Sequence, residues 1–215
     1  MVTSLTAPRS TRDKLMRSRG AASHLAQLTT AQKNDILLAM ADAIGANATS
    51  ILQANQADLD SSHLTGAMRD RLLLDPDRIA AMISGVREVA SLPDPVGDTL
   101  TEWERPNGLR IRKVRVPLGV VGVIYESRPN VTVDTISLAL KTGNAAVLRG
   151  GKEAAHSNQK LAEILSAVPG VPAGAIELLD ASTRDSVYEL IKARGLVDVL
   201  IPPGRRGRDS VISVY

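Results

Sequence analysis

The sequence predicts an α/β fold: a Rossmann-like parallel sheet preceded by N-terminal helices and interrupted by a β-hairpin excursion. Three observations carry this. Apolar residues up to Ala90 recur at helical spacing. Past Leu92-Pro93-Asp94-Pro95 the spacing switches to period two around an Asn107-Gly108 turn. From Gly119 onward, short apolar runs alternate with helical stretches, giving the β-α-β-α-β-α-β order of a parallel sheet with crossover helices.

Each element has a local cause. Thr30 can cap a helix whose apolar face is Ile36, Leu37, Met40, Ala41 and Ile44. Asp75-Pro76 starts another, with Asp as cap and Pro in the first turn, and Ile79, Met82, Ile83, Val86, Val89 and Ala90 form its stripe. Both stripes read as core. Leu109 and Ile111 alternate with Arg110 and Arg112, while Val114 and Val116 continue out of phase, so a bulge is expected near Arg112-Lys113. The paired strand is placed around Thr99–Glu104. Gly119–Tyr125 is a continuous apolar run, suited to a strand covered on both faces. A helix follows from about Val131 to Thr142 and closes at Gly143. Strands are expected at Ala145–Leu148, Ile176–Leu179 and Val197–Ile201. Helices are expected over Glu153–Val168 and from a Ser182/Thr183 cap to Arg194.

Composition narrows the function. The chain has 215 residues, 44% hydrophobic and 23% charged, enough to bury a core and too apolar for a disordered segment. Aromatics are only 2%, which argues against a base-stacking surface for single-stranded nucleic acid. There is no cysteine, so this chain offers no disulfide, no Cys-metal site and no thiolate nucleophile. The net charge is +3, and residues 202–215 supply most of it through Arg205, Arg206 and Arg208 against Asp209. A basic tail of this kind is weak ground for a nucleic-acid partner. No apolar run approaches a membrane span, and Met1–Arg12 lacks the apolar core of a secretory signal, so no membrane partner is expected and a cytoplasmic location is.

Polar residues follow the predicted strands. Glu126-Ser127-Arg128-Pro129-Asn130 follows the first, Arg149-Gly150-Gly151-Lys152 the second, and Pro202–Gly207 the fourth. Two glycines and a lysine at a strand-to-helix turn suit a phosphate: glycine admits close backbone approach, the next helix offers free N–H groups, and lysine adds charge. The same residues also suit a plain glycine turn with a surface lysine. Neither G-x-x-x-x-G-K-[ST] nor G-x-G-x-x-G is present. Arg105, Arg110, Arg112, Lys113 and Arg115 form either a phosphate-seeking patch or, more simply, a solvated ribbon face. His24, His63 and His156 are scattered, with no metal-ligand spacing, and no metal is expected.

Longer runs carry a resemblance. Arg115-Val-Pro-Leu-Gly-Val-Val-Gly-Val-Ile-Tyr-Glu-Ser-Arg-Pro-Asn-Val-Thr-Val-Asp134 resembles the γ-glutamyl phosphate reductase family, within the aldehyde dehydrogenase superfamily. So do Leu140-Lys-Thr-Gly-Asn-Ala-Ala-Val-Leu-Arg-Gly-Gly-Lys-Glu153, Asp94-Pro-Val-Gly97, Ala54-Asn-Gln-Ala-Asp58 and Asp70-Arg-Leu72. The resemblance runs from about Ala21 to Pro202. It implies a partial aldehyde dehydrogenase-like fold and NADPH-dependent reduction of L-glutamyl 5-phosphate to L-glutamate 5-semialdehyde with release of phosphate, a step of proline biosynthesis. It implies cofactor contacts at Arg149, Gly150, Gly151, Lys152 and Glu126, with Lys152 attracting the 2′-phosphate of NADPH. It implies substrate contacts at Arg128, meeting a phosphate or carboxylate, and at Asn130, orienting the acyl group.

The resemblance also implies a cysteine nucleophile, and here the catalytic residue is absent, so the chain is expected to be inactive alone. The parts expected are an N-terminal helical part of the cofactor domain (1–97), a hairpin serving oligomerisation (98–116), the NADP-binding part (117–201) and a divergent basic tail (202–215). The family continues past Pro202 with a glycine-rich turn near the cofactor pyrophosphate. This chain instead has Pro203-Gly204-Arg205-Arg206-Gly207-Arg208-Asp209. Either a truncating frame shift near codon 202 or a natural short paralogue accounts for that. The competing function is a non-catalytic module that binds NADPH or associates with a reductase.

Overall fold

A computed structural model describes residues 9–203 and 212–213. Five helices come first: α1 (Thr11–Leu25), α2 (Thr30–Ala46), α3 (Ala48–Ser61), α4 (Gly66–Leu72) and α5 (Pro76–Ser91). The α2 cap is Thr29 rather than Thr30. Its hydroxyl accepts from Gln32 N–H while the Gln32 side chain accepts from Thr29 N–H, a reciprocal pair that Thr30 cannot make. Thr30 instead donates to Asp94 Oδ2 at 2.9 Å. Asp75 caps α5 as expected, its carboxylate accepting from Arg78 N–H at 2.8 Å.

The hairpin pairs β1 (Thr99–Glu104) with β2 (Arg110–Val114) in antiparallel fashion. Its irregularity lies between Thr99 and Thr101, so Leu100 is the extra residue and the bulge expected at Arg112-Lys113 is on the opposite strand. One strand's side-chain phase cannot tell which partner carries a one-residue mismatch. Neither face of this ribbon is buried, so burial does not pin the register. Trp103 on β1 is 46% exposed.

The main sheet has the order β5-β4-β3-β6-β7: β3 (Val120–Ile124), β4 (Ala145–Arg149), β5 (Ile176–Leu178), β6 (Val199–Ile201) and β7 (Ile212–Ser213). The first four are parallel, as the alternating pattern predicts. β7 adds an antiparallel edge strand against β6 that the sequence reading does not contain. The rest of the basic tail, with its glycine-arginine run, lies outside the described residues. Three helices cross between parallel strands: α6 (Pro129–Lys141), α7 (Ala155–Ser166) and α8 (Asp185–Ile191). The helix expected from Glu153 is split, with Lys152–Ala154 forming a 3-10 turn before α7. The helix expected from Ser182/Thr183 starts two residues later. Asp180 accepts from both Ser182 N–H and Ser182 Oγ at 2.8 Å, which spends those residues on a turn instead of a helix cap.

One apolar core runs from Leu15, Leu37 and Met82 in the helices to Val121, Val147 and Leu200 in the sheet. No single helix among the described residues is long and apolar enough to cross a membrane. β3 enters the sheet through Gly119, at φ +119°, where a Cβ would overlap Asp198 Oδ2. That carboxylate accepts from Val120 N–H at 2.8 Å and pairs with Arg19, tying β3, β6 and α1 together at one point.

A second buried polar cluster fixes the connection before the hairpin. Lys33, only 2% exposed, forms an ion pair with the buried Asp94 carboxylate. Asp94 also accepts from Val96 N–H at 3.0 Å. Lys141 donates to Asn34 Oδ1 and to Ala90 O nearby. Burial pushes the Asp94 carboxyl up, but the bonds from Lys33, Val96 and Thr30 outweigh it and hold it below the usual range. The folded state thus favours the ionised form. The stabilisation is complete above the unfolded carboxyl's pKa of about 3.9 and fades as pH falls through the lower folded value. Acid unfolding should therefore set in below about pH 4, and Asp94→Asn should flatten that limb of a stability-versus-pH curve; an unchanged acid limb would remove Asp94 from the account.

Candidate cofactor and substrate site

The strand order reverses at β3, whose neighbours are β4 on one side and β6 on the other, and the carboxyl ends of these parallel strands meet the loops predicted to carry chemistry. The loop after β3 begins where Tyr125 N–H donates to Arg149 O, so the two strand ends leave the sheet together. Ser127 Oγ then donates to Glu153 Oε2 at 2.7 Å, tying this loop to the 3-10 turn. Burial raises the Glu153 carboxyl, but the Ser127 bond and the nearby Lys152 and Arg149 charges outweigh it and hold Glu153 below the usual range. Glu153 is therefore ionised at neutral pH, directly beside Lys152.

The two glycines answer to this close approach. A Cβ on Gly150 would overlap Asn158 Nδ2 and crowd the Tyr125 ring, and a Cβ on Gly151 would overlap Ser127 Oγ. Their first cause is loop-on-loop packing. The same packing leaves a cavity of about 110 Å³ lined by Gly150, Gly151, Asn158, Asp180 and Ala181, among others. Lys152 is exposed beside it, and among the described residues it makes no ion pair. Arg149 does something else. Its guanidinium donates to Gly150 O, Ala181 O and Thr183 O, strapping the β4 exit to the β5 exit, and its Nε is buried with no partner among the described residues.

The other predicted residues face a different opening. Arg128 and Asn130 line a cleft of about 540 Å³ formed with α4 and α5, which also presents Asp70, Arg71, Arg78 and Asp134. Asn130 Nδ2 reaches Asp134 Oδ2 at 3.5 Å, and burial raises the Asp134 carboxyl more than this contact lowers it. Glu126 is exposed, its carboxylate 3.6 Å from Arg71 Nη1. The structure thus brings the two loops together through Ser127 and Glu153, yet opens them onto two cavities.

A buried polar frame behind the site was not predicted as such. Asp58 of α3, whose side chain is 2% exposed, accepts from His156 N–H, Ser157 N–H and Ser157 Oγ, and meets His156 Nδ1 at 2.8 Å. It caps α7 from a distant helix. Asn55, one turn earlier, donates to Leu72 O and Ser157 Oγ and accepts from Leu74 N–H. The Ala54–Asp58 motif is thereby a clamp that fixes α7 and the α4–α5 corner. Thr132 donates to Asn158 Oδ1 and shares a 2.6 Å bond with Tyr125 Oη, whose ionisation burial pushes up to about 12. In the sequence, the Ala54–Asp58 motif marks one side of this frame without giving its partners.

The model of the aldehyde dehydrogenase family matches residues 5–200. Gamma-glutamyl phosphate reductase of Koribacter versatilis is 64% identical over 197 residues, which cover 92% of this chain and 48% of that protein. The crystal structure of gamma-glutamyl phosphate reductase from Thermotoga maritima superimposes with a TM-score of 0.88 at 36% identity, covering 93% of this chain and 50% of that one. The Saccharomyces cerevisiae enzyme of the same name gives a TM-score of 0.82 at 32% identity, covering 92% and 52%. The chain spans about half the length of the curated relatives it matches.

Proposed function

From the premise that the chain belongs to the aldehyde dehydrogenase family, we propose that it forms the cofactor-binding portion of an NADPH-dependent reductase of L-glutamyl 5-phosphate. The products are L-glutamate 5-semialdehyde and phosphate, a step of proline biosynthesis in the cytoplasm. The observation that carries this reading is the joining of the β3 and β4 exit loops by Ser127 and Glu153, with a small cavity on one side and an arginine-lined cleft on the other.

NADPH, when bound, would supply the hydride. The chain's own part is to bind and orient. The cavity at Gly150, Gly151 and Asp180 suits part of a nucleotide, and the exposed Lys152 ammonium beside it would meet the 2′-phosphate in a charge-assisted contact. Ionised Glu153 makes that corner less hospitable to excess anion, so Lys152 must outweigh it. Arg149 acts through its strap, keeping the cavity walls in register. Glu126 acts at the cleft rim rather than in the cavity. Arg128 and Asn130 offer donors to the acyl phosphate in the cleft, whose volume falls in the range of small-molecule sites, about 300–1,000 Å³. The exposed ribbon over residues 98–116 is the surface offered for a homo-oligomer.

The absence of cysteine favours the second reading, a binding module without turnover. Titration of the pure chain tests the cofactor half of the proposal. Lys152→Glu should weaken NADPH by about tenfold or more while leaving NADH nearly unchanged, the effect of one lost charge-assisted hydrogen bond. Equal losses for both cofactors would refute the assignment of Lys152. Phosphate-dependent oxidation of glutamate semialdehyde by the chain alone would refute the binding-only role.

A further inference from the structure

The cleft beside Arg128 contains three arginines, and they are not equivalent. Arg78 is fully engaged: it donates to Asp70 O, to Leu73 O at 2.8 Å and to Asp70 Oδ1 at 2.6 Å. Arg128 is exposed, and among the described residues its guanidinium makes no hydrogen bond or ion pair to protein. Arg71 lies between these cases. It sits in the last turn of α4, lines the same cleft, and among the described residues meets only the Glu126 carboxylate, at 3.6 Å. That distance exceeds a hydrogen bond, so the pair is a loose ion pair, and both partners are substantially exposed. Glu126 belongs to the loop that ends at Arg128, and Asn130 follows in the first turn of α6. A single contact therefore joins the helical wall of the cleft to the loop on its floor.

We propose that Arg71 is a specificity-determining residue that holds the α-carboxylate of the ligand, and that Glu126 occupies it until the ligand arrives. This rests on the reading of the cleft as the acyl phosphate site. An α-amino acid whose far carboxyl is joined to phosphate as an acyl phosphate carries two anionic groups separated by an aliphatic chain. The cleft offers two guanidinium groups with donors to spare, one on α4 and one at the start of α6, and the third is consumed by Asp70. Two separated anions matched to two separated forks give both charge and register, since a guanidinium binds carboxylate or phosphate through paired donors. Asp134, one turn along α6 from Asn130, also lines the cleft, and burial raises its carboxyl. Glu126 presents its own carboxylate to the fork that would take the ligand's. It keeps Arg71 turned into the cleft and sets a threshold that a carboxylate must exceed.

The test uses the full chain and two stable probes: a phosphonate analogue of glutamyl phosphate, and the same compound without its α-carboxylate. Binding is read by calorimetry. Arg71→Ala should weaken the complete analogue about tenfold or more and leave the decarboxylated one unchanged, because only one of them offers the missing partner. Arg71→Lys should restore part of the loss. Glu126→Gln should tighten the complete analogue alone, by about threefold, as the competing carboxylate is removed. Equal effects of Arg71→Ala on both probes, or no effect on either, would overturn the assignment while leaving the cleft's function standing. A wild-type chain that binds neither probe would overturn the reading of the cleft itself, and the assignment with it. Thermal melts of each variant separate these outcomes from misfolding, since Arg71 is too exposed to be needed for the core.

Discussion

Asp58→Ala should be among the most damaging single substitutions near the site, although Asp58 touches neither cavity. Its carboxylate receives the first N–H groups of α7 and the Ser157 hydroxyl inside the protein. Removing it strips the helix of its cap and leaves buried donors unpaired, a loss of about 3 kcal/mol. For a chain of this size the melting temperature should fall by roughly 6–12 °C. Asp58→Asn keeps an acceptor and should lose about half as much. The effect should extend to ligand binding, because Lys152–Ala154 lead directly into α7. On the proposed function, NADPH affinity should drop with stability, and at low temperature, where the variant is folded, part of that drop should persist. A melting shift under about 2 °C would show that α7 is held by other groups.

Gly119→Ala should be worse. The backbone there has φ +119°, a region that side chains avoid, and the added Cβ would overlap the Asp198 carboxylate, which must leave its partners to make room. Asp198 is held by Val120 N–H and Arg19, so the strain falls on the junction between the first and fourth parallel strands. Strain and overpacking together amount to about 3–5 kcal/mol. Chemical denaturation should show the loss as a lower midpoint with an unchanged slope. A double variant with Asp198→Gly should recover part of it by removing the obstacle, and failure of that recovery would place the whole cost in the backbone angle.

These two residues also show where the sequence speaks and where it is silent. Gly119 begins an apolar run, so the strand beyond it is legible, but its conflict with Asp198 arises from a residue nearly eighty positions away that folding alone brings near. The parallel order of four strands is plain because each strand and helix carries its own period. The bulge moved from Arg112-Lys113 to Leu100 because an exposed ribbon lacks the buried face that would fix its register. Within the site, the strand-to-helix turn at Gly150, Gly151 and Lys152 is legible. Their environment is not. Nothing local says that Arg149 would spend its donors on Ala181 and Thr183, or that Arg128 would open toward α4 rather than toward the glycines. Arg71 stands in the Asp70-Arg-Leu72 motif, but its place is hidden for the same reason: it becomes a cleft residue only when the short α4 folds over the loop after β3.

The exposed ribbon has a consequence for anyone who follows this protein by light. Trp103, on β1, is the only tryptophan in the chain, and there is no phenylalanine. Its indole is half in water on a two-stranded arm that contributes nothing to the sheet core. Its emission therefore reports the arm and is nearly blind to the cavities and to the packing of α7. A chain whose core has loosened would still shine much as before, whereas one whose arm has been covered by a neighbour would shift to the blue with its interior unchanged. The intrinsic fluorophore is a gauge of company kept, and the state of the fold has to be read by circular dichroism or heat.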